Sequence, residues 1–222
     1  MIHRTTVSRL SVLAVILAVL LSLWGCGDAK KTKDNDSNKK PAATSSVVSE
    51  AKAAKAPMPS GIKQPNSVKA TGTIEVAFSP NGGGAAMIIK AIGQSQRTIK
   101  VQAYSFTNAD IAKALLDAAK RGVEVRVVLD KSQETEKYTS ATFLANAGVP
   151  VRIDDDFAIA HNKIMILDDE TVITGSFNFT KAAEERNAEN VLVIRGNKEL
   201  AKLYLQNWQW RWDASETYKR KE

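Results

Sequence analysis

The chain has 222 residues, 44% of them hydrophobic and 25% charged, with a formal net charge of +7. Its one cysteine excludes a disulfide within the chain, and with only two histidines, His3 and His161, a zinc centre would rest mostly on carboxylates. The charge is uneven: residues 1–25 carry two basic side chains and no acidic ones, residues 28–69 nine and four, and residues 70–222 twenty of each. The high isoelectric point therefore belongs to the N-terminal part, and it says little about nucleic-acid binding by the remainder.

Residues 1–25 open with His3, Arg4 and Arg9 and continue as an apolar run from Leu10 to Leu23 broken only by Ser11 and Ser22. A basic start followed by an apolar stretch too short to span a bilayer, which takes about 20 residues, reads as an export signal. It ends at Leu23-Trp24-Gly25-Cys26, which resembles a bacterial lipobox and implies lipidation of Cys26. Trp24 stands where such signals carry a smaller residue, so an uncleaved signal anchor is the alternative. Both readings put the chain outside the cytoplasm, membrane-anchored and facing the periplasm or the cell exterior; a soluble periplasmic form is the other option. Gly27 after Cys26 leans towards the outer membrane in a host with two membranes. Residues 26–69, rich in Lys, Ala, Ser, Asn and Pro and without aromatics, read as a disordered tether. Residues 70–222 are long enough for one well-cored domain.

Within that domain, alternation predicts a strand over 73–78, and Pro80-Asn81-Gly82-Gly83-Gly84 turns the chain into a helix over 85–94. A second strand is expected over 98–106. Thr107 or Asn108 then caps a helix to Lys120, with Ile111, Ala114, Leu115 and Ala118 at helical spacing. Strand 123–129 and helix 138–146 follow, the latter closed by Gly148 and Pro150. From Val151 the pattern becomes strands joined by short turns, at 151–153, 159–167, 171–174 and 190–195. An amphipathic helix from Lys198 to Trp212 closes the domain, with Leu200, Leu203, Tyr204, Trp208 and Trp212 or Arg211 along it. The expected class is α/β, a mixed and largely parallel central sheet flanked by helices. The tryptophan-rich stripe reads as core or interface.

His161, Lys163, Asp168, Gly175, Ser176 and Asn178 form the pattern H-x-K-x4-D-x6-G-S-x-N, which occurs once. Such a coincidence is expected by chance in roughly one chain in ten thousand. On a strand over 159–167, His161, Lys163 and Met165 would share one face, so the imidazole and the ammonium could converge on one anion. Asp168 has the opposite parity and sits at the turn Asp168-Asp169-Glu170, which points to a structural role. Ser176 and Asn178, with backbone N–H groups at a helix start running through Ala183, would form a phosphate cradle. Asp154-Asp155-Asp156 reads as a solvated turn rather than a cation site. Phosphate contacts to a long polymer would fall to Lys120-Arg121 with Arg126, to Arg152, to Lys181 with Arg186, and to Lys219-Arg220-Lys221. Each of these alone reads as a solvated helix end or tail.

The segment HNKIMILDDETVITGSFNFTKAAEERNAEN resembles the HKD signature of the phospholipase D superfamily. FSPNGGG, TIKVQAYSFTNADIAKALLDAAKRGVEVRVVLD and WQWRW extend the likeness over about 73–213, towards the small exported bacterial endonucleases of that superfamily. The resemblance implies the phospholipase D/nuclease fold, no metal or other cofactor, and a homodimer with one composite site at its interface. One subunit's His161 would attack phosphorus, and the other's would protonate the leaving oxygen and then activate water. Lys163, Ser176 and Asn178 would hold the non-bridging oxygens, Gly175 would support the loop, and Glu189 would orient an imidazole. DNA is the expected substrate, with RNA an option. The rival readings are a phospholipase or phosphatidyl transferase and, as a third class, a non-catalytic DNA-binding envelope component.

Overall fold

The computed structural model describes residues 56–219. The expected export signal, Cys26, the tether as far as residue 55, and Arg220 and Lys221 lie outside the described residues. Among those described, no helix is long and apolar enough to cross a membrane.

Period-two runs rich in Val and Ile supply the strands β1 (Thr73–Phe78), β2 (Thr98–Ala103), β3 (Glu124–Asp130), β4 (Val151–Asp154), β5 (Lys163–Leu167), β6 (Thr171–Gly175), β7 (Asn190–Arg195) and the short β8 (Glu216–Thr217). The helices are α1 (Gly84–Gln94), α2 (Ala109–Lys120), α3 (Ser140–Asn146), α4 (Lys181–Glu185) and α5 (Lys198–Ala214). Asn108 caps α2 by accepting from the Asp110 and Ile111 amides, and Asn197 caps α5 by accepting from Leu200.

One sheet runs in the order β1-β7-β6-β5-β2-β3-β4-β8. It is an α/β architecture with a mixed sheet between helices. The parallel share is smaller than the sequence pattern suggests, being confined to β2–β3 and β3–β4, while the other pairings are antiparallel. Crossover helices follow only β2 and β3 within that run. After β4 a loop carries the chain past β3 and β2 to β5, a tight turn joins β5 to β6, and the segment with α4 joins β6 to β7, so that β5, β6 and β7 alternate in direction.

The first core, under α1, α2 and α3, contains Ile88, Ile99, Val101, Leu115, Val127, Leu129, Leu144 and Met165. The opposite face carries Val128, Ile164, Ile166 and Val172 beneath Ala201, Trp208 and Trp212 of α5. The tryptophan stripe is thus largely core, and Trp208 Nε1 donates to the Val101 carbonyl at 2.9 Å. The ordered part reaches back beyond residue 70. A 3-10 turn at Ser60–Ile62 packs on α5, and Trp210 Nε1 donates to the Ala56 carbonyl at 2.8 Å.

Asp154-Asp155-Asp156 is not a solvated turn as expected. Asp154 ends β4 and is 1% exposed, Asp156 is buried as well, and only Asp155 faces solvent. The reason lies 57 residues away: Arg211, itself 3% exposed, reaches Asp154 through Nε at 2.8 Å and Nη2 at 2.6 Å. Nη2 also lies 3.7 Å from Asp156, and the guanidinium stacks between Phe157 and Trp210. Removing the cation would strand buried carboxylates. Arg211→Met is therefore expected to lower the unfolding free energy by about 3–5 kcal/mol, read from the urea midpoint at constant m-value.

Candidate active site

Sheet polarity gathers the chemistry at one end. β2, β3 and β4 present their carboxyl ends there, which in open α/β sheets is where ligands bind. Because β5 is antiparallel to β2, its first residue, Lys163, pairs with Ala103 at that same end. The alternation β5–β6–β7–β1 then brings Gly175, Asn190 and Phe78 there too.

His161 is not part of β5, contrary to the sequence expectation of a strand from 159. The ladder stops because β2 ends at Ala103; one further bond, from the Tyr104 N–H to the Asn162 carbonyl at 2.8 Å, carries the pairing past Lys163. Residues 159–162 form a loop held by the buried Asp130, whose Oδ2 accepts from the Ala160 amide at 2.7 Å. His161 is exposed, with its ring 4.7 Å from that of Tyr104 at a tilt of 58°. Lys163 is only 7% exposed, and its ammonium lies 5.1 Å from the Tyr104 ring centre and 3.5 Å from the His161 carbonyl oxygen. Burial lowers the Lys163 pKa, and the nearby Glu189 carboxylate opposes that shift.

Glu189 is set by a reciprocal pair with the turn after β1. Ser79 N–H donates to the Glu189 carbonyl at 3.0 Å, and Glu189 N–H donates to Ser79 Oγ at 3.1 Å. Asn187 Nδ2 also donates to Glu189 Oε1, at 3.1 Å. Gly175 is required by close approach, since a Cβ there would lie 2.3 Å from the Asn190 carbonyl oxygen. Phe177 and Phe179 bury their rings on either side of Asn178 in sequence, and Phe179 packs edge-on against Phe106.

The expected helix-start cradle is absent at Ser176. The helix begins only at Lys181, capped by Thr180, and the Ser176 and Phe177 amides both donate to the Asn190 carbonyl. What remains for an anion are side chains. Ser176 Oγ accepts from the Asn190 amide and side chain at 3.1 and 3.3 Å, leaving its own hydroxyl proton to donate. Asn178 Oδ1 is buried and has no hydrogen-bond partner among the described residues.

Asp168 stands apart, at the far end of β5 in a left-handed conformation with φ 53°. Its carboxylate accepts from Ser95 Oγ and from the amides of Gln96, Arg97 and Thr98 at 2.7–3.0 Å. Burial alone would raise its pKa, but these donors outweigh burial and hold the carboxyl below its ordinary value.

Three residues escaped the sequence reading. Tyr104 touches both His161 and Lys163, and its position just after a parallel strand was the available signal. Asp130 holds the His161 loop. Glu184 caps α1 from 99 residues away, accepting from Gly83 and Ala85 at 2.9 and 2.8 Å, so the glycine loop before α1 already holds a carboxylate. No local signal marks that contact. Among the described residues no cluster of His, Cys, Asp and Glu could hold a metal ion. A cavity of about 420 Å³ adjoins the site, lined by His161, Lys163 and Thr174 and by the apolar Met58, Ile62, Leu200 and Leu203.

A sequence profile described as the cardiolipin synthase, PLD-like domain matches residues 88–212. A second, the scaffolding anchor of CK1 domain, matches residues 27–146 and stops short of His161. The chain is 45% identical over 135 residues to a phospholipase D of Rickettsia felis, covering 61% of this chain and 67% of that one. It is 33% identical over 122 residues to a mitochondrial cardiolipin hydrolase of Chlamydomonas reinhardtii, covering 55% of this chain and 54% of that one. Among solved structures it resembles Nuc, a phospholipase D family member from Salmonella typhimurium, with TM-score 0.65 and 43% identity over 67% of this chain and 99% of that one.

The lowered Asp168 pKa has a stability consequence. Its contribution is complete above the unfolded carboxyl value of about 3.9 and is lost as pH falls through the lower folded value. Asp168→Asn is expected to cost about 1–3 kcal/mol at pH 7, with the difference from wild type shrinking below about pH 4. Thermal unfolding across that range measures it.

Proposed function

The chain belongs to the phospholipase D superfamily and is one of its phosphodiesterases; from that premise we propose that it is a metal-independent endonuclease cleaving DNA, and RNA as an option, at a site shared by two copies of the chain. The observation that carries this reading is the pairing of one exposed imidazole with one buried ammonium at the rim of the sheet. A phosphodiester needs a nucleophile and a separate acid, and among the described residues His161 is the one imidazole. A second copy supplies the other. The outer face of β1, with exposed Ile74, Val76 and Phe78, ends at the same rim and offers apolar surface to that copy.

In the first step one His161 nitrogen forms a bond to phosphorus while the bond to the leaving oxygen breaks. The partner's His161 delivers the proton to that oxygen. In the second step water attacks phosphorus, the phosphorus–nitrogen bond breaks, and the partner's imidazole takes the water's proton. Lys163, the Ser176 hydroxyl and the Asn178 amide would hold the non-bridging oxygens as charge builds, and Glu189 lies where it can steady an imidazole or balance Lys163. The proposed cellular setting is an exported, membrane-anchored form, carried by the basic and apolar start of the chain and by Cys26.

A lipid phosphodiester is the second reading. It is favoured by the apolar wall of Met58, Ile62, Leu200 and Leu203 beside Lys163. Incubating the purified protein in excess chelator with plasmid DNA and, separately, with phospholipid vesicles decides between them. DNA fragments without released headgroup support the nuclease, and the reverse result replaces it by the lipase. His161→Ala should lower the rate by at least about a thousandfold on whichever substrate is cut.

The two roles need one imidazole neutral and its symmetry mate protonated in the same complex. The rate should follow a bell-shaped pH profile, and a rate still rising through pH 9 would exclude the shared site. Sedimentation should show a dimer.

A further inference from the structure

Tyr104 takes no part in the steps above, yet its ring lies against both His161 and Lys163. His161 sits in a loop outside the strand ladder, exposed, and its imidazole has no hydrogen bond among the described residues. The Tyr104 ring, at 4.7 Å and 58°, packs against it. The Lys163 ammonium lies 5.1 Å from the same ring centre. The backbone of Tyr104 is tied to the residue between them, through its N–H to the Asn162 carbonyl at 2.8 Å. Tyr104 directly follows Ala103, the last partner of Lys163 in the ladder, so its place relative to both groups is fixed by the sheet.

We propose that Tyr104 is the positioning residue of this site: its ring sets the orientation of the His161 imidazole and seats the Lys163 ammonium over an electron-rich face. An aromatic face attracts an ammonium electrostatically and does so more strongly where water is displaced. A tilted ring contact also restricts the imidazole to a narrow range of directions, which in-line attack on phosphorus requires. Among the described residues the Tyr104 hydroxyl has no hydrogen-bond partner, so the aromatic ring is the working part. The kinetic side of this proposal rests on the phosphodiesterase reading, while the positional side does not.

The test uses Tyr104→Phe and Tyr104→Leu in the whole protein, with two readouts. By proton NMR, the His161 imidazole resonances, assigned by their loss in His161→Asn, should carry the ring-current shift of a neighbouring aromatic in wild type and Tyr104→Phe. In Tyr104→Leu they should move towards the positions of a free histidine. In turnover, Tyr104→Phe should stay within about twofold of wild type. Tyr104→Leu should lose kcat by roughly ten- to a hundredfold with KM nearly unchanged and the thermal midpoint lowered by no more than a few degrees. An unmoved imidazole signal in Tyr104→Leu overturns the proposal, as does a Leu variant that turns over like wild type or a Phe variant that falls as far as Leu. A wild-type protein that cuts neither DNA nor lipid would sink the functional reading instead, and the NMR comparison would still decide the placement of Tyr104.

Discussion

The antiparallel seating of β5 against β2 is the constraint on which the site depends. It places Lys163 opposite Ala103, at the carboxyl end of the parallel strands rather than at their far end. With the register set there, β6 must return Gly175 to the same rim, β7 must leave from it at Asn190, and β1 must finish there at Phe78. Groups separated by more than a hundred residues in the chain, from Ser79 to Glu189, then become neighbours without any long loop reaching for them. Lys163 also becomes the first residue of a strand buried throughout, so its stem enters the interior and its ammonium loses water. A buried charge costs several kcal/mol unless it is compensated. Here Glu189 and the Tyr104 ring offset that cost, and an incoming phosphate would add to them.

The far end of the same strand carries the opposite arrangement. Asp168 leaves β5 in a left-handed turn and gathers a hydroxyl and two backbone amides from the segment joining α1 to β2 and a third amide from Thr98, the first residue of β2. It therefore fastens β5 to β2 from the end away from Lys163. A motif that reads as one unit in sequence is thus divided by a strand of five residues into a chemical end and a structural end. The sequence reading set Asp168 apart by its parity on a strand over 159–167; in the structure His161 lies outside that strand, and it is the length of β5 rather than the face a side chain takes that separates the two ends.

Other parts of the sequence reading failed where distant partners decide. The strand pattern through 159–162 is sound as periodicity, but a strand needs a neighbour, and β2 has ended by then. The amides after Gly175 look free on local grounds, yet the close approach that makes Gly175 necessary also hands two of them to Asn190. Three consecutive aspartates look solvated until Arg211 is folded over them. Glu184 is likewise unreadable as a helix cap, since 99 residues separate it from the amide of Ala85. In each case local composition and periodicity could not name the segment that would meet the one being read.

The charge distribution carries a consequence for substrate binding. The basic groups outside the motif are largely engaged with their own surroundings: Arg126 pairs with Glu124, Lys181 with Glu185, and Arg152 lies over the Trp212 ring while donating to a carbonyl. Within residues 70–222 the two signs balance at twenty each, so that part alone offers a polyanion little net long-range attraction, and the basic surplus lies in residues 1–69. Met58 and Ile62 lie outside residues 88–212 matched by the PLD-like profile. The apolar wall beside His161 and Lys163 is thus built partly from outside that matched region.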